Sequence, residues 1–83
     1  MLKLRNEHFV KFAEDLSTPL VRAEIDVDTS AELPKINGIS GIRLHQGSTA
    51  LIIKEGILAV LAGDGSWVDQ TGSVLKEASN ESA

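Results

Sequence analysis

The chain has 83 residues, a net charge of −4 at pH 7 and no cysteine. A chain of this size makes one domain with a thin core, because it buries only about two-thirds of the surface that its unfolded form exposes. Without cysteine, neither a disulfide nor a thiolate metal site reinforces that core, and the acidic balance leaves no basic patch for a nucleic-acid partner.

The N-terminal stretch "MLKLRNEHFVKF" is interrupted by polar and charged residues. It therefore has no apolar run long enough for a signal sequence or a membrane span, and we expect a soluble protein made in a cytoplasm, with no membrane partner.

In "NEHFVKFAEDL" the apolar residues recur at the spacing of one helical face, which predicts a short helix over residues 7–16. "HFVKF" also alternates loosely, so an extra strand is the alternative there. The helical spacing rests on Phe9, Phe12, Ala13 and Leu16.

The segment "LVRAEIDV" predicts a strand, because apolar and charged residues alternate along it with a period of two. Asp28 or Thr29 can then cap a short helical turn over "SAEL", and Pro34 ends that turn. The glycine-rich "KINGISGIRLHQGS" predicts a loop with a short strand near "GIRL", whose isoleucines seal one end of the core.

Residues 47–72 predict a three-stranded meander. A two-residue turn at Glu55 and Gly56 pairs Lys54 with Ile57, and a three-residue turn at 63–65 pairs Leu61 with Trp67. The predicted fold is mainly β: a small antiparallel sheet or barrel-like domain built on this C-terminal meander, with one or two short helical segments. We place the domain at residues 1–72 and a flexible C-terminal tail at 73–83, where the composition turns to Ser, Asn and Glu.

Both faces of the predicted meander are apolar. An antiparallel sheet with one solvated side shows alternation, so we expect both faces to be covered, and self-association supplies the second cover. The alternative is a monomer in which the N-terminal segment and the isoleucine-rich loop cover both faces. One face carries Ala50, Ile52, Ala59, Leu61 and Trp67. The residues predicted to form the oligomer interface or the core are Leu51, Ile53, Leu58, Val60, Trp67 and Val68.

Residues with catalytic chemistry are sparse. His8 and His45 are the two histidines and have no spaced partners typical of a metal site, and the Ser and Thr residues stand in no nucleophile motif. We therefore predict no enzymatic activity, no cofactor and no metal. Trp67 has two interpretations, a core or subunit-interface residue, which we favour, or a platform that stacks on a sugar ring.

The order of "VDTSAELP", "GSTALII", a hairpin and "GDGSWV" over residues 26–68 resembles small minor structural proteins of tailed bacteriophages and prophages, of the head-decoration or head-fibre type. The apolar "INGISGI" departs from that pattern, and the chain has neither a collagen-like nor a coiled-coil shaft segment, which favours a compact module over a fibre.

The resemblance implies a non-enzymatic virion component that stabilises the outside of a capsid, with a homotrimer and the major capsid protein as partners. It would be made in the host cytoplasm and located in the phage particle. The alternatives are a carbohydrate-binding or adhesion module of a phage tail that uses Trp67, and an assembly scaffold or regulator whose hairpin edge augments a partner's sheet.

Overall fold

The computed structural model of the protein describes residues 2–12 and 17–77, which form one open, mixed β-sheet. A single turn of 3₁₀ helix, Ser30–Glu32, is the helical part of these residues, and it is too short to cross a membrane. The strands are β1 (Lys3–Phe12), β2 (Pro19–Val27), β3 (Arg43–Leu44), β4 (Thr49–Ile52), β5 (Ile57–Leu61), β6 (Trp67–Val68) and β7 (Val74–Lys76).

The strand order across the sheet is β1-β2-β4-β5-β6-β7, and β3 pairs with β2 beside β4. β2 runs parallel to β3 and β4, whereas the other neighbouring strands are antiparallel. Parallel neighbours need a crossover connection, and residues 28–48 supply it. The predicted mainly β class is confirmed, and the sheet is open and mixed because of this crossover, which local alternation does not reveal.

The hydrophobic core lies on one face of the sheet, under the crossover. The alternating apolar residues of β2 point into it, which confirms the strand predicted from "LVRAEIDV". The crossover adds buried Leu33 and Leu44 and the partly buried isoleucines of the glycine-rich loop, which seal the core as predicted. The buried apolar residues are Val21, Ala23, Ile25, Val27, Leu33, Leu44, Ala50, Ile52, Ala59, Leu61 and Trp67.

The predicted helical turn at "SAEL" and the short strand at "GIRL" are both present, as the 3₁₀ turn and β3. Thr29 is the N-cap residue, yet its side chain makes no capping hydrogen bond. The backbone N–H of Ser30 instead donates to Oε2 of Glu55 at 3.2 Å. The cap of this turn therefore comes from the β4–β5 hairpin and not from the adjacent chain.

The helix predicted over residues 7–16 is wrong for residues 7–12, which belong to β1, while residues 13–16 lie outside the described residues. β1 pairs with β2 from Lys3 to Phe12, with irregularities at Leu4/Asn6 and Phe9/Lys11. A β-bulge inserts one residue and shifts the alternation. The bulge after Phe9 therefore leaves Phe9 and Phe12 on the same side of the strand, which mimics helical spacing.

The predicted meander is confirmed, with a different register in its first hairpin. Ile57 pairs with Ile52 and not with Lys54, because the turn spans residues 53–56, with the N–H of Gly56 donating to Ile52 O at 2.8 Å. The shift is two residues, so every side chain keeps its predicted face. In the second hairpin Leu61 pairs with Trp67, as predicted.

The sheet continues beyond the predicted domain boundary at residue 72. Val74–Lys76 forms β7 and pairs with β6, so residues 73–77 are part of the domain, while the rest of the predicted tail, 78–83, lies outside the described residues. The turn before β7 repeats the hydrogen bonds of the turn before β6. Gly65 and Gly72 both have a φ of +91°, which glycine adopts without strain, and they close three-residue loops of the same kind.

Candidate functional site

Five of the six residues predicted for the interface or core lie on the sheet face opposite the core, and Trp67 lies in the core. The register places Leu51 opposite Leu58, and Val60 opposite Val68, on neighbouring strands. β7 extends this row with Val74, which pairs with Val68. We name this set the outer apolar stripe, and its members are Leu51, Ile53, Leu58, Val60, Val68 and Val74.

The outer apolar stripe is exposed to solvent in the described structure. Ile53 and Val74 keep 56% and 55% of their surface and Leu51 keeps 39%, while the other three members are half-buried by their neighbours. Residues 2–12 and 17–77 include no segment packed over this face, since the crossover and its apolar side chains pack on the other face. A contiguous exposed apolar patch on a small domain is typical of an interaction surface.

Val74 was not predicted from the sequence, because the serine- and glutamate-rich composition after it suggested a tail. The signal that could have found it is the turn "DQTGS", whose glycine stands at the same loop position as in "AGDGS" of the preceding hairpin. A second hairpin turn of this kind predicts one further strand.

The other half of the outer face, on β1 and β2, is charged. The guanidinium of Arg5 donates from Nε to Asp26 Oδ1 at 2.8 Å, and its Nη1 lies 3.7 Å from Glu24 Oε1. Nε2 of His8 lies 3.5 Å from Glu24 Oε2. Exposed ion pairs of this kind contribute little to stability, so this half is a solvated surface that borders the apolar one.

Trp67 is 1% exposed and packs in the core. Its indole Nε1 donates a hydrogen bond to the backbone carbonyl of Pro34 at 2.8 Å, which ties β6 to the crossover. The structure thus places Trp67 in the core. A sugar needs an exposed ring face for stacking, and this ring does not offer one.

Ser48 is a buried polar residue that no sequence pattern indicated. Its Oγ accepts a hydrogen bond from the N–H of Ala23 at 3.0 Å and donates to the carbonyl of His45 at 2.8 Å. Ala23 lies where β2 changes partner from β3 to β4. The serine hydroxyl thus accepts the hydrogen bond that a neighbouring strand would accept, one residue before β4 begins.

Two aspartates hold the turns on either side of β6. The Ser66 hydroxyl and N–H donate to Asp64 Oδ1 at 2.6 and 2.9 Å, and the Thr71 hydroxyl and N–H donate to Asp69 Oδ1 at 2.6 and 2.9 Å. Hydrogen bonds to the ionised carboxylate, above all those from the two hydroxyls, lower the pKa of Asp64 and of Asp69 below the ordinary 3.8. The turns therefore depend on ionised carboxylates.

The two histidines lie in different environments. His8 is exposed beside Glu24, and Nδ1 of His45 lies 3.0 Å from the carbonyl of Gln46. Among the described residues, no group of three or more His, Asp or Glu side chains has an arrangement that could hold a metal ion. His8 and His45 thus have different neighbours, Glu24 and the carbonyl of Gln46.

Comparison of the chain with models of known protein families, with curated proteins and with solved structures finds no match.

Proposed function

We propose that the chain is a non-enzymatic structural component of a tailed-phage virion, an oligomeric protein that decorates and stabilises the capsid. The observation that carries the proposal is the outer apolar stripe, which the described residues leave open to solvent. Its partners are further copies of the chain, with a trimer favoured, and the major capsid protein. It is made in the host cytoplasm and located in the particle, and it needs neither nucleic acid nor a membrane.

Self-association buries the six apolar side chains of the outer apolar stripe. Burial of apolar surface stabilises by roughly 25 cal/mol per Å², so leaving such side chains wet forgoes several kcal/mol. That amount is comparable to the whole stability of a small domain. A second copy of the chain provides a matching apolar surface, so association recovers this free energy.

The phage part of the proposal is supported by the resemblance over residues 26–68. Each resembling segment has a structural task in this fold: "VDTSAELP" ends β2 and forms the 3₁₀ turn, "GSTALII" contains Ser48 and β4, and "GDGSWV" contains the turn and Trp67. These segments build the scaffold that presents the stripe. A module that occurs in many copies gains affinity for a lattice by multivalent contact, without catalytic residues.

The experiment that tests this function is quantitative mass spectrometry of purified phage particles produced from the genome that encodes the chain. We expect the chain in the particles at a fixed ratio to the major capsid protein, and at a lower ratio after washing at high salt or mild denaturant. Presence in the lysate but absence from intact particles would overturn the virion role.

The carbohydrate-binding alternative is not proposed, because the ring of Trp67 is buried and hydrogen-bonded to Pro34. The ring packs among core side chains, so sugar stacking would require the core to open.

A further inference from the structure

The path of paired strands ends at β1 and at β7, and each of these end strands has unpaired backbone groups. β1 pairs with β2 alone and β7 with β6 alone among residues 2–12 and 17–77. The outward N–H and C=O groups of both strands are therefore available to another chain. Edge strands are templates for pairing, and proteins either shield them or use them for assembly.

The two edges carry opposite free charges. Within the described part of the chain, Lys3 and Lys11 on β1 have no carboxylate partner. Glu77, beside β7, has no cationic partner there. The amine of Lys76 is turned away from the β7 edge, since it donates to the carbonyls of Ala31 and Leu33 at 3.2 and 2.8 Å. Glu7 on β1 is also exposed and without an ion-pair partner among the described residues, so the free charges of the β1 edge sum to +1, against −1 for Glu77.

Both edges also present large apolar side chains. Phe9 and Phe12, the two phenylalanines of the chain, are 59% and 52% exposed and pack against each other edge to face, with centroids 5.2 Å apart. On the opposite edge strand, Leu75 packs against the core, on the same face of the sheet as the two phenylalanines, which pair with Val21 and Pro19. Aromatic side chains are enriched at the centres of protein interfaces, so the position of this pair on an unpaired edge indicates a contact surface.

We propose that copies of this chain associate head to tail, with β1 of one copy pairing with β7 of the next. The proposal rests on the self-association proposed above and names its surface and partner, a second copy of this chain. Counting strand directions across the sheet shows that β1 and β7 run the same way. A rotation about an axis along the strands therefore places them side by side as a parallel pair.

Head-to-tail contacts of this kind close into a ring when the rotation returns to the first copy. A ring of three pairs β1 and β7 of every copy and directs one face of every sheet toward a common axis. In the proposed ring this is the outer face, which carries the outer apolar stripe. The same arrangement thus covers the stripe and pairs both edges.

Like-to-like pairing is disfavoured by the charges. Two β1 edges side by side oppose two edges of net positive charge, because Lys3 and Lys11 outnumber Glu7, and two β7 edges bring Glu77 of both copies together. Juxtaposed like charges oppose association, whereas the β1–β7 contact places lysine near glutamate. Charge complementarity therefore selects the head-to-tail contact.

The absence of cysteine from the sequence makes cross-linking a clean test. The test uses two single-cysteine variants of the full chain, Asn6→Cys on β1 and Ser73→Cys beside β7. The two proteins are mixed, left until their subunits have exchanged between oligomers, and treated with a short bis-maleimide. Cross-linked peptides are then identified by mass spectrometry. A link between the two variants is necessarily intermolecular, and we expect such links to outnumber like-to-like links several-fold.

Native mass measured on the same samples separates the possible failures. An oligomer in which most links join two copies of the same variant, or in which no link joins Asn6→Cys to Ser73→Cys, would overturn the head-to-tail contact and leave the proposed self-association standing. A monomer at all concentrations would overturn the self-association itself.

A charge exchange tests the same contact without cross-linking. Lys11→Glu should weaken association by about two- to fivefold, the range of an exposed ion pair, and adding Glu77→Lys should restore it. Arg43→Glu on β3, which makes the same charge change away from both edges, is the matched control. Equal effects of Lys11→Glu and Arg43→Glu, or no rescue by Glu77→Lys, would contradict the contact.

Discussion

The hydroxyl of Ser48 accepts a hydrogen bond from the N–H of Ala23 at 3.0 Å, in the gap between β3 and β4 along one side of β2. The same oxygen donates to the carbonyl of His45 at 2.8 Å, and the residue is fully buried. One side chain therefore satisfies the backbone at the point where the sheet changes from β3 to β4.

Replacing Ser48 by Ala should destabilise the fold by about 1–3 kcal/mol, because the buried N–H of Ala23 loses its acceptor. Chemical denaturation of the two proteins at equal concentration measures this difference. Ser40→Ala, at an exposed serine, is the matched control and should change the free energy of unfolding by less than about 0.5 kcal/mol. Equal stabilities of the Ser48 and Ser40 variants would contradict the role of the buried hydroxyl.

Replacing Trp67 by Phe should lower the free energy of unfolding by at least as much. The carbonyl of Pro34 loses its hydrogen-bond donor, which costs about 1–3 kcal/mol, and the smaller ring leaves a cavity that adds a further loss. Denaturant titration measures the change. The wild-type protein provides a second readout, since a buried indole is protected from iodide. Quenching of Trp67 fluorescence as strong as that of free tryptophan would show that the ring is not in the core.

The aspartate turns predict acid sensitivity. The native pKa values of Asp64 and Asp69 lie below the ordinary 3.8, so in this range the unfolded state binds more protons than the native state. The stabilisation is complete at neutral pH, declines as the pH falls through 3.8, and is lost below the native pKa values. The urea midpoint should therefore fall on acidification.

The matched variants for this pH dependence are Asp69→Asn, which removes the titrating group, and Thr71→Val, which removes the hydroxyl donor and keeps the carboxylate. Both should show a shallower decline of the urea midpoint between neutral pH and about pH 3 than the wild-type protein. Identical declines in all three proteins would mean that the Thr71 hydroxyl does not stabilise the ionised form of Asp69.

Local patterns predicted the parts of the fold that are determined locally. The alternation in "LVRAEIDV" located β2, and turn residues located the meander and the two faces of its strands. The predicted turns and cross-strand pairs placed five members of the outer apolar stripe on one face. The predicted register of the first hairpin differs from the observed one by two residues because Ile53 and Lys54 are in the turn. Their N–H groups donate to the carbonyls of Val27 and Asp28, and the hairpin sequence does not reveal this contact with the end of β2.

The missed features depend on contacts between distant segments. The bulge beside Phe9 gives β1 a helical spacing of aromatic residues, and only the ladder with β2 reveals the strand. The parallel pairing of β2 with β4 requires the crossover to fold over the core, and Ser48 supports it through a single hydroxyl. Neither the parallel pairing nor the Ser48 hydrogen bond leaves a periodic signal in the sequence. β7 was concealed by the composition of the residues that follow it.

If self-association covers the outer apolar stripe, the native mass of the protein, measured by light scattering after size exclusion, is that of an oligomer. The wild-type protein is measured over a tenfold concentration range beside Leu51→Asp, which places a charge on the stripe, and Asn37→Asp, which introduces the same charge on the exposed crossover loop. We predict a trimer for the wild-type protein and for Asn37→Asp, and a folded monomer for Leu51→Asp. A wild-type protein that is a folded monomer throughout the range would show that self-association does not cover the outer apolar stripe.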